Sequence, residues 1–326
     1  MSPATLPAAL GIDVGGTTCA VCLIDADGGL IADVSRPTPE ADSAEALLAA
    51  FAETAREVMG RAAGYEPVGL GIGVPGTVSP DERAARDCPN LTILNGVRVP
   101  EFFERRMGMP VWMQNDAYCA TLAELRYGAG RDYANVLLVT LGTGVGGGIA
   151  LDNKVRRGPR QIMGEIGHMI LDLNGPPCNC GTVGCAEAFV GKQAIINRAL
   201  CKLAAYPDSA LAQYAAADRD AVTPKLIADL ARQGDEMCLS VMSDIGLYIG
   251  QTLCNAIVMC DPDIILLGGG IAGAGEVLFD PVRRTVRERT PISGFDPAKV
   301  LPCALGTKAG AVGAAALVWE HSQAEQ

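Results

Sequence analysis

Three short apolar runs in this chain each end in a cluster of glycines, and no other feature limits its possible folds as sharply. Residues 10–13 lead into Gly15-Gly16-Thr17, residues 136–141 into Gly142-Thr143-Gly144, and residues 264–267 into Gly268-Gly269-Gly270. A short apolar run bounded by turn residues predicts a buried strand. Glycine directly after it permits a tight turn and leaves the backbone bare, so that successive N–H groups can face phosphate oxygens. One such turn reads equally well as a plain hairpin. Three of them, each closing an apolar strand, are hard to explain by packing alone.

None of the three matches a better-known nucleotide signature. No Gly-Lys-Ser/Thr follows residues 141–148, so they are not a Walker loop, and they fit only part of the dinucleotide fingerprint. Asp13 precedes the first turn. A carboxylate cannot sit directly against phosphate, so an acid at this position suits a hydrated Mg²⁺ between the two. Between the glycine clusters, strand-like and helix-like patterns alternate, including helical spacing over 43–61, a strand over 68–74 and largely helical sequence over 193–260. Residues 79–100 read as irregular. The alternation predicts an α/β fold, and the similar settings of the turns near residues 15 and 144 hint at a duplicated one.

Two further constellations carry chemistry. Asn115-Asp116 follows a short strand and opens a helix running to about Tyr127. Asp116 would project from a fixed edge as a proton acceptor, or either residue would simply cap the helix. Cys178-x-Cys180-x₄-Cys185, with His168 ten residues upstream, supplies three thiolates and an imidazole, the donor set of a closed structural Zn²⁺ site. The alternative is three ordinary thiols in a chain with 12 cysteines.

Bulk properties narrow the partners. The net charge of −11 is the wrong sign for gripping a nucleic-acid backbone, so no nucleic-acid partner is expected. Residues 1–7 lack the basic start and apolar run of a secretory signal. No apolar stretch is expected to reach membrane-spanning length; the best candidate, 136–151, is interrupted by Gly and Thr. A cytoplasmic, reduced protein without a membrane partner is the expectation.

The motifs Asp13-Val14-Gly15-Gly16-Thr17, Gln114-Asn115-Asp116-Ala117, Leu141-Gly142-Thr143-Gly144, Gly164-Glu165-Ile166-Gly167-His168 and the 178–185 cysteine segment occur in this order. Together the chain resembles the ROK family of bacterial glucokinases, other sugar kinases and sugar-responsive repressors, over about residues 9–318. The glycine-rich pieces are shared with the wider actin and hexokinase superfamily; the Glu-x-x-His segment followed by the cysteines is more specific.

The resemblance implies an actin-like, ribonuclease-H-like duplicated fold of two lobes with a cleft between them. Residues 1–113, completed by a C-terminal helix at about 305–326, would form the small lobe, and 114–304 the large lobe carrying the zinc loop. It implies ATP-dependent phosphorylation of a hexose, with glucose the first choice and N-acetylmannosamine, N-acetylglucosamine or another hexose as alternatives. A non-catalytic sugar-sensing regulator is the alternative from another class, disfavoured because Asp13 lies too near the N-terminus for a preceding helix-turn-helix. By resemblance, Asp116 is the catalytic base. Asn90, Asn115, Asp116, Glu165, His168 and Glu187 bind sugar, with His168 also a zinc ligand beside Cys178, Cys180 and Cys185. ATP and Mg²⁺ fall to Asp13, Gly15, Gly16, Thr17, Gly142, Thr143, Gly144, Gly268, Gly269 and Gly270. A homodimer or homotetramer is implied. Three departures bear on substrate choice: Gln114 replaces an acid, Gly191 replaces a common Ser, and residues 91–96 lack a frequent aromatic.

Overall fold

A computed structural model describes residues 5–290, 292 and 294–324. Along the chain run β1 (Leu6–Val14), β2 (Thr18–Ile24), β3 (Leu30–Pro37), α1 (Ala44–Gly60), β4 (Tyr65–Val74), β5 (Thr77–Val78), β6 (Ala85–Arg86), α2 (Val99–Met107), β7 (Val111–Asn115) and α3 (Asp116–Tyr127). There follow β8 (Val136–Leu141), β9 (Val145–Leu151), β10 (Lys154–Arg156), α4 (Ala186–Val190), α5 (Lys192–Lys202), α6 (Leu211–Ala217), α7 (Pro224–Arg232) and α8 (Glu236–Cys260). The chain ends with β11 (Ile264–Gly268), α9 (Gly269–Ala272), α10 (Glu276–Arg289), β12 (Val300–Pro302) and α11 (Ala309–Ala324). The expected C-terminal helix is thus present as α11, and its last two anticipated residues, 325 and 326, lie outside the described residues.

Two five-stranded sheets repeat one order, β3-β2-β1-β4-β7 and β10-β9-β8-β11-β12. In each, an opening hairpin carries a third strand on its outer side and two parallel strands on its inner side. The turn of each hairpin is a glycine cluster, 15–17 in the first and 142–144 in the second. The duplication hinted at by the two turns is therefore a repeat of topology. This is the α/β, actin-like two-lobe fold class.

By contacts the chain forms two compact units, Met1–Ala134 with Gly148–Met163 and Ala304–Gln326, and Asn135–Gly147 with Gly164–Cys303. Helix α3, which begins beyond the boundary expected at residue 113, belongs to the first of them. In that unit the two faces of β1 bury different partners. Ala8, Leu10, Ile12 and Val14 face the core containing Leu47, Leu48 and Phe51 of α1. Ala9 faces Ala311, Val312 and Ala315 of α11. Alternation puts Gly11 and Asp13 on this second face. A Cβ on Gly11 would lie 2.1 Å from the Ala311 carbonyl oxygen, and one on Gly71 of β4 would lie 1.6 Å from that of Ala314. Glycine on the strands and alanine on the helix let the two backbones touch, which explains the Ala-rich composition of α11.

In the second unit, β8 and β11 are almost wholly buried, as central parallel strands must be. Helix α8 packs against α10 through small residues: a Cβ on Gly246 would meet Pro281 Cβ at 2.5 Å and one on Gly250 would meet Thr285 Cβ at 2.5 Å. The expectation about apolar length needs correction. Residues 136–151 form the β8–β9 hairpin, whereas α8, at 25 residues, is the one helix among the described residues long and apolar enough to span a membrane. Most of its apolar side chains are buried within the protein, as in the core helix of a globular fold.

Candidate active site

The first unit gathers Asp13, the 15–17 turn, Asn90, Asn115 and Asp116. The turn is closed by Gly15 N–H donating to Thr18 O at 3.0 Å, and the Gly15 carbonyl accepts the Thr38 hydroxyl at 2.6 Å. Among the described residues the N–H groups of Gly16 and Thr17 donate to no protein acceptor, which leaves them available to an anion. Asn90, an exposed residue, packs its Cβ where a Cβ on Gly16 would have to sit, 2.6 Å away. Only glycine at 16 admits this approach.

The structure assigns the capping role, which the sequence left open between Asn115 and Asp116, to Asn115. Asn115 is the N-cap of α3: its Oδ1 accepts from Ala117 N at 2.8 Å and Tyr118 N at 3.1 Å, and its Nδ2 donates to Gly76 O at 2.5 Å. Asp116 is the first residue of the helix, and its Oδ1 accepts from Ala117 N at 2.7 Å. Burial pushes the Asp116 carboxyl up to about 6, against the lowering effect of its backbone and Asn115 hydrogen bonds. Burial, followed by the charge of Asp116, pushes Asp13 up to about 7. Two carboxylates so close that one shifts the other form an electronegative pair with an appetite for a proton or a cation. Gln114 is 2% exposed, and its Nε2 finds no partner among the described residues. Strand alternation sets its side chain on the opposite face of β7 from Asn115, so this departure lies away from the N-cap side chain.

The second unit gathers Glu165, His168, Glu187, the cysteines and the other two glycine clusters. Gly181 (φ +94°) and Gly184 (φ +74°) take left-handed conformations that fold the cysteine loop back on itself. Cys178 N–H donates to Thr182 O at 2.8 Å and Gly184 N–H to Pro176 O at 2.8 Å. The ligand atoms of His168, Cys178, Cys180 and Cys185 consequently lie within 4.8 Å of one another. Cys180 and Cys185 sulfurs are 3.7 Å apart, and Cys178 Sγ is 3.8 Å from His168 Nδ1. A tetrahedron with metal–sulfur bonds of about 2.3 Å has sulfur–sulfur edges of about 3.8 Å, so the cluster has the dimensions of a Cys₃His metal centre. No described cysteine is in a disulfide.

The same cluster touches the glycine turn of β8–β9. Glu187, on α4 just after Cys185, accepts Val145 N–H at 2.9 Å through Oε2, and its Oε1 lies 3.7 Å from Cys178 Sγ. A Cβ on Gly144 would lie 2.3 Å from that Oε2, and one on Gly167 would lie 2.1 Å from Val145 O. Glu165, half-buried, precedes the 3₁₀ turn Ile166–His168 that makes this approach. The structure thus sets Glu187 against Gly144 and packs the 164–168 segment, which carries Glu165 and His168, against the same hairpin.

Gly268-Gly269-Gly270 is not a simple turn. Gly268 ends β11 and Gly269 begins the short helix α9, with φ +82° and a Cβ position 2.3 Å from Leu141 O. It therefore abuts the end of β8. Gly142, Thr143 and Gly270 line a cavity of about 450 Å³ whose apolar walls include Ile195, Ala228, Met242 and Ile271. The sequence did not single out these four, because apolar residues at helical spacing look the same whether they line a core or a cavity.

The ROK family profile matches residues 9–321. The chain belongs to the ROK family. It is 34% identical over 312 residues to a glucokinase from Thermotoga maritima, covering 96% of this chain and 97% of that protein. It is 33% identical over 314 residues to a glucokinase from Streptomyces coelicolor, covering 95% and 97%. The crystal structure of a ROK glucokinase from Streptomyces griseus, in complex with glucose and AMPPNP, superposes with a TM-score of 0.83 at 32% identity over 95% of this chain and 98% of that one. The ROK match spans both glycine-turn hairpins and the Cys₃His cluster.

Proposed function

We propose that this protein is an ATP-dependent glucose kinase, forming glucose 6-phosphate and ADP. The observation that carries the proposal is Asp116: a carboxylate fixed at the first position of α3, half-buried, with its proton affinity raised towards neutrality. Phosphoryl transfer asks little covalent chemistry of a protein; it asks for positioning, for neutralised phosphate charge and for an acceptor of the hydroxyl proton. Ionised at neutral pH and still basic, Asp116 takes the proton from the sugar 6-hydroxyl as that oxygen bonds to the γ-phosphorus and the bond to ADP breaks. Asn115 holds the carboxylate in place by capping the helix that bears it. The relatedness to glucokinases supports glucose as acceptor.

The remaining roles are those that the family resemblance implies, read beside the local chemistry. Asp13, beside the bare N–H groups of Gly16 and Thr17, would hold the hydrated Mg²⁺ that offsets charge on the phosphate chain when bound. The cavity beside Gly142, Thr143 and Gly270 would take the nucleotide, its apolar walls accepting the base; Gly144, Gly268 and Gly269 shape the approach. Asn90, Asn115, Glu165, His168 and Glu187 would bind sugar hydroxyls, for which carboxylate and amide acceptors are suited and sugars lacking the hydroxyls are rejected. His168, Cys178, Cys180 and Cys185 would hold a structural Zn²⁺; four protein ligands leave no open position for substrate. Cysteines kept for a metal must stay reduced, which suits a reducing compartment, and we place the protein in the cytoplasm.

An ADP-release assay against glucose, mannose, N-acetylglucosamine and N-acetylmannosamine tests the reading. Glucose should give the highest kcat/KM. Turnover confined to an N-acetylhexosamine would retain the kinase and replace the substrate; no turnover with any sugar would leave the regulator reading.

A further inference from the structure

The cavity at the 142–144 turn is lined by three cations, Lys192, Lys225 and Arg232. Two are committed to the protein. Lys225 Nζ pairs with Asp229 at 2.7 Å, and Arg232 pairs with the same carboxylate while donating to Gly273 O at 3.2 Å and Ala274 O at 3.1 Å. Lys192 differs: among the described residues, its ammonium has no carboxylate or carbonyl partner. Its backbone is nonetheless fixed, since Lys192 N–H donates to Gly142 O at 3.1 Å. The preceding Gly191 packs so closely that a Cβ there would sit 3.0 Å from Thr143 O. A long cationic side chain is thus anchored at the bare-backbone end of the cavity and left without a counter-charge.

Holding an exposed ammonium at a fixed backbone position beside the Thr143 and Gly144 N–H groups, which donate to no protein acceptor among the described residues, suits a polyanion. Lys192 also opens α5, an 11-residue helix whose N-terminal turn adds positive potential at the same place. We propose that Lys192 is a specificity-determining residue for the phosphoryl donor, its ammonium contacting the phosphate chain of a nucleotide whose base occupies the apolar end of the cavity. The inference rests on the kinase reading and adds to it a cation outside the glycine motifs. It follows that Lys192 contributes to recognition of the phosphates and not of the nucleoside.

The test is calorimetric titration of the full-length protein with ADP, ATP and adenosine, for wild type, Lys192→Met and Lys192→Arg. Lys192→Met should bind ADP and ATP about five-fold more weakly, the scale of one solvent-screened ionic contact, and bind adenosine unchanged. Lys192→Arg should recover most of the loss, and the salt dependence of ATP binding should be shallower in Lys192→Met than in wild type. In steady state, KM for ATP should rise with KM for glucose unchanged. Equal loss for adenosine and ATP would overturn the proposal, because it would mark a structural role, and so would unchanged ATP binding. Failure of the wild type to bind any of the three would overturn the nucleotide reading itself and this inference with it.

Discussion

Glu187 accepts the Val145 backbone N–H at 2.9 Å and keeps its second oxygen 3.7 Å from the Cys178 sulfur. One side chain thus ties the glycine turn between β8 and β9 to the Cys₃His cluster. A metal bound in this cluster would have a mechanical role, because the loop that it would close positions Glu187, and Glu187 in turn braces the turn. Removing the metal should therefore disturb sugar binding more than nucleotide chemistry. Elemental analysis of protein purified without chelator should find one zinc per chain. Stripping it, or replacing Cys180 by Ser, should lower Tm by several degrees and raise KM for glucose more than KM for ATP.

Gly144→Ala probes the same contact from the other side. The added Cβ would meet the Glu187 Oε2 atom at 2.3 Å, the far end of a side chain that can swing away. Stability should fall by only about 1 kcal/mol, since the backbone need not move. Turnover should fall about ten-fold or more, because Glu187 would lose both its position and its Val145 bond. Steady-state kinetics beside a denaturation curve separates the two effects.

Gly71→Ala should behave in the opposite way. The new Cβ would lie 1.6 Å from the Ala314 carbonyl oxygen, a rigid backbone atom of α11. Helix and sheet would have to separate, at a cost of about 3 kcal/mol or more, read as a loss of thermal stability.

Asp116→Asn carries a stability signature with a definite sign. Burial raises the Asp116 carboxyl from 3.8 to about 6, so the folded protein binds this proton more tightly than the unfolded chain does. As pH rises from about 4 through 6, the unfolded chain releases its proton first and stability falls. Asparagine removes that penalty. The variant should be more stable than wild type at pH 7–8, by on the order of 2 kcal/mol less about 0.5 kcal/mol for the lost charge at the start of α3, and the gap should close near pH 4. Urea denaturation at the two pH values measures it. In wild type, kcat/KM for glucose should decline below about pH 6 as the base becomes protonated.

The features legible in the sequence were those in which chemistry forces a rare local pattern. The cysteine loop needed glycine at 181 and 184, and the β1–β2 and β8–β9 turns needed bare backbone, so motif and geometry coincide. The paired roles of Asn115 and Asp116 were not separable, because both residue types cap helices and only the side-chain bonds assign the cap to Asn115. Helix α2 was hidden because Pro100, which reads as a breaker, sits in its first turn where proline is tolerated. Strand β3 is mostly exposed and lacks an apolar run, and α10 contains Pro281, so neither announced itself. Gly11 and Gly71 carried no signal of their own in the sequence; their reason is the α11 backbone, hundreds of residues away along the chain. Lys192 was invisible for a similar cause: an isolated lysine at a helix start says nothing until the cavity beside it is known.

The role of Asp116 as base is tested most directly by glucose-dependent ADP release from Asp116→Asn at pH 7.5, with glucose binding measured on the same preparation. The expected result is a fall in kcat of about 10²- to 10⁴-fold with glucose affinity retained within a few-fold. Near-wild-type turnover in a folded, glucose-binding variant would contradict it.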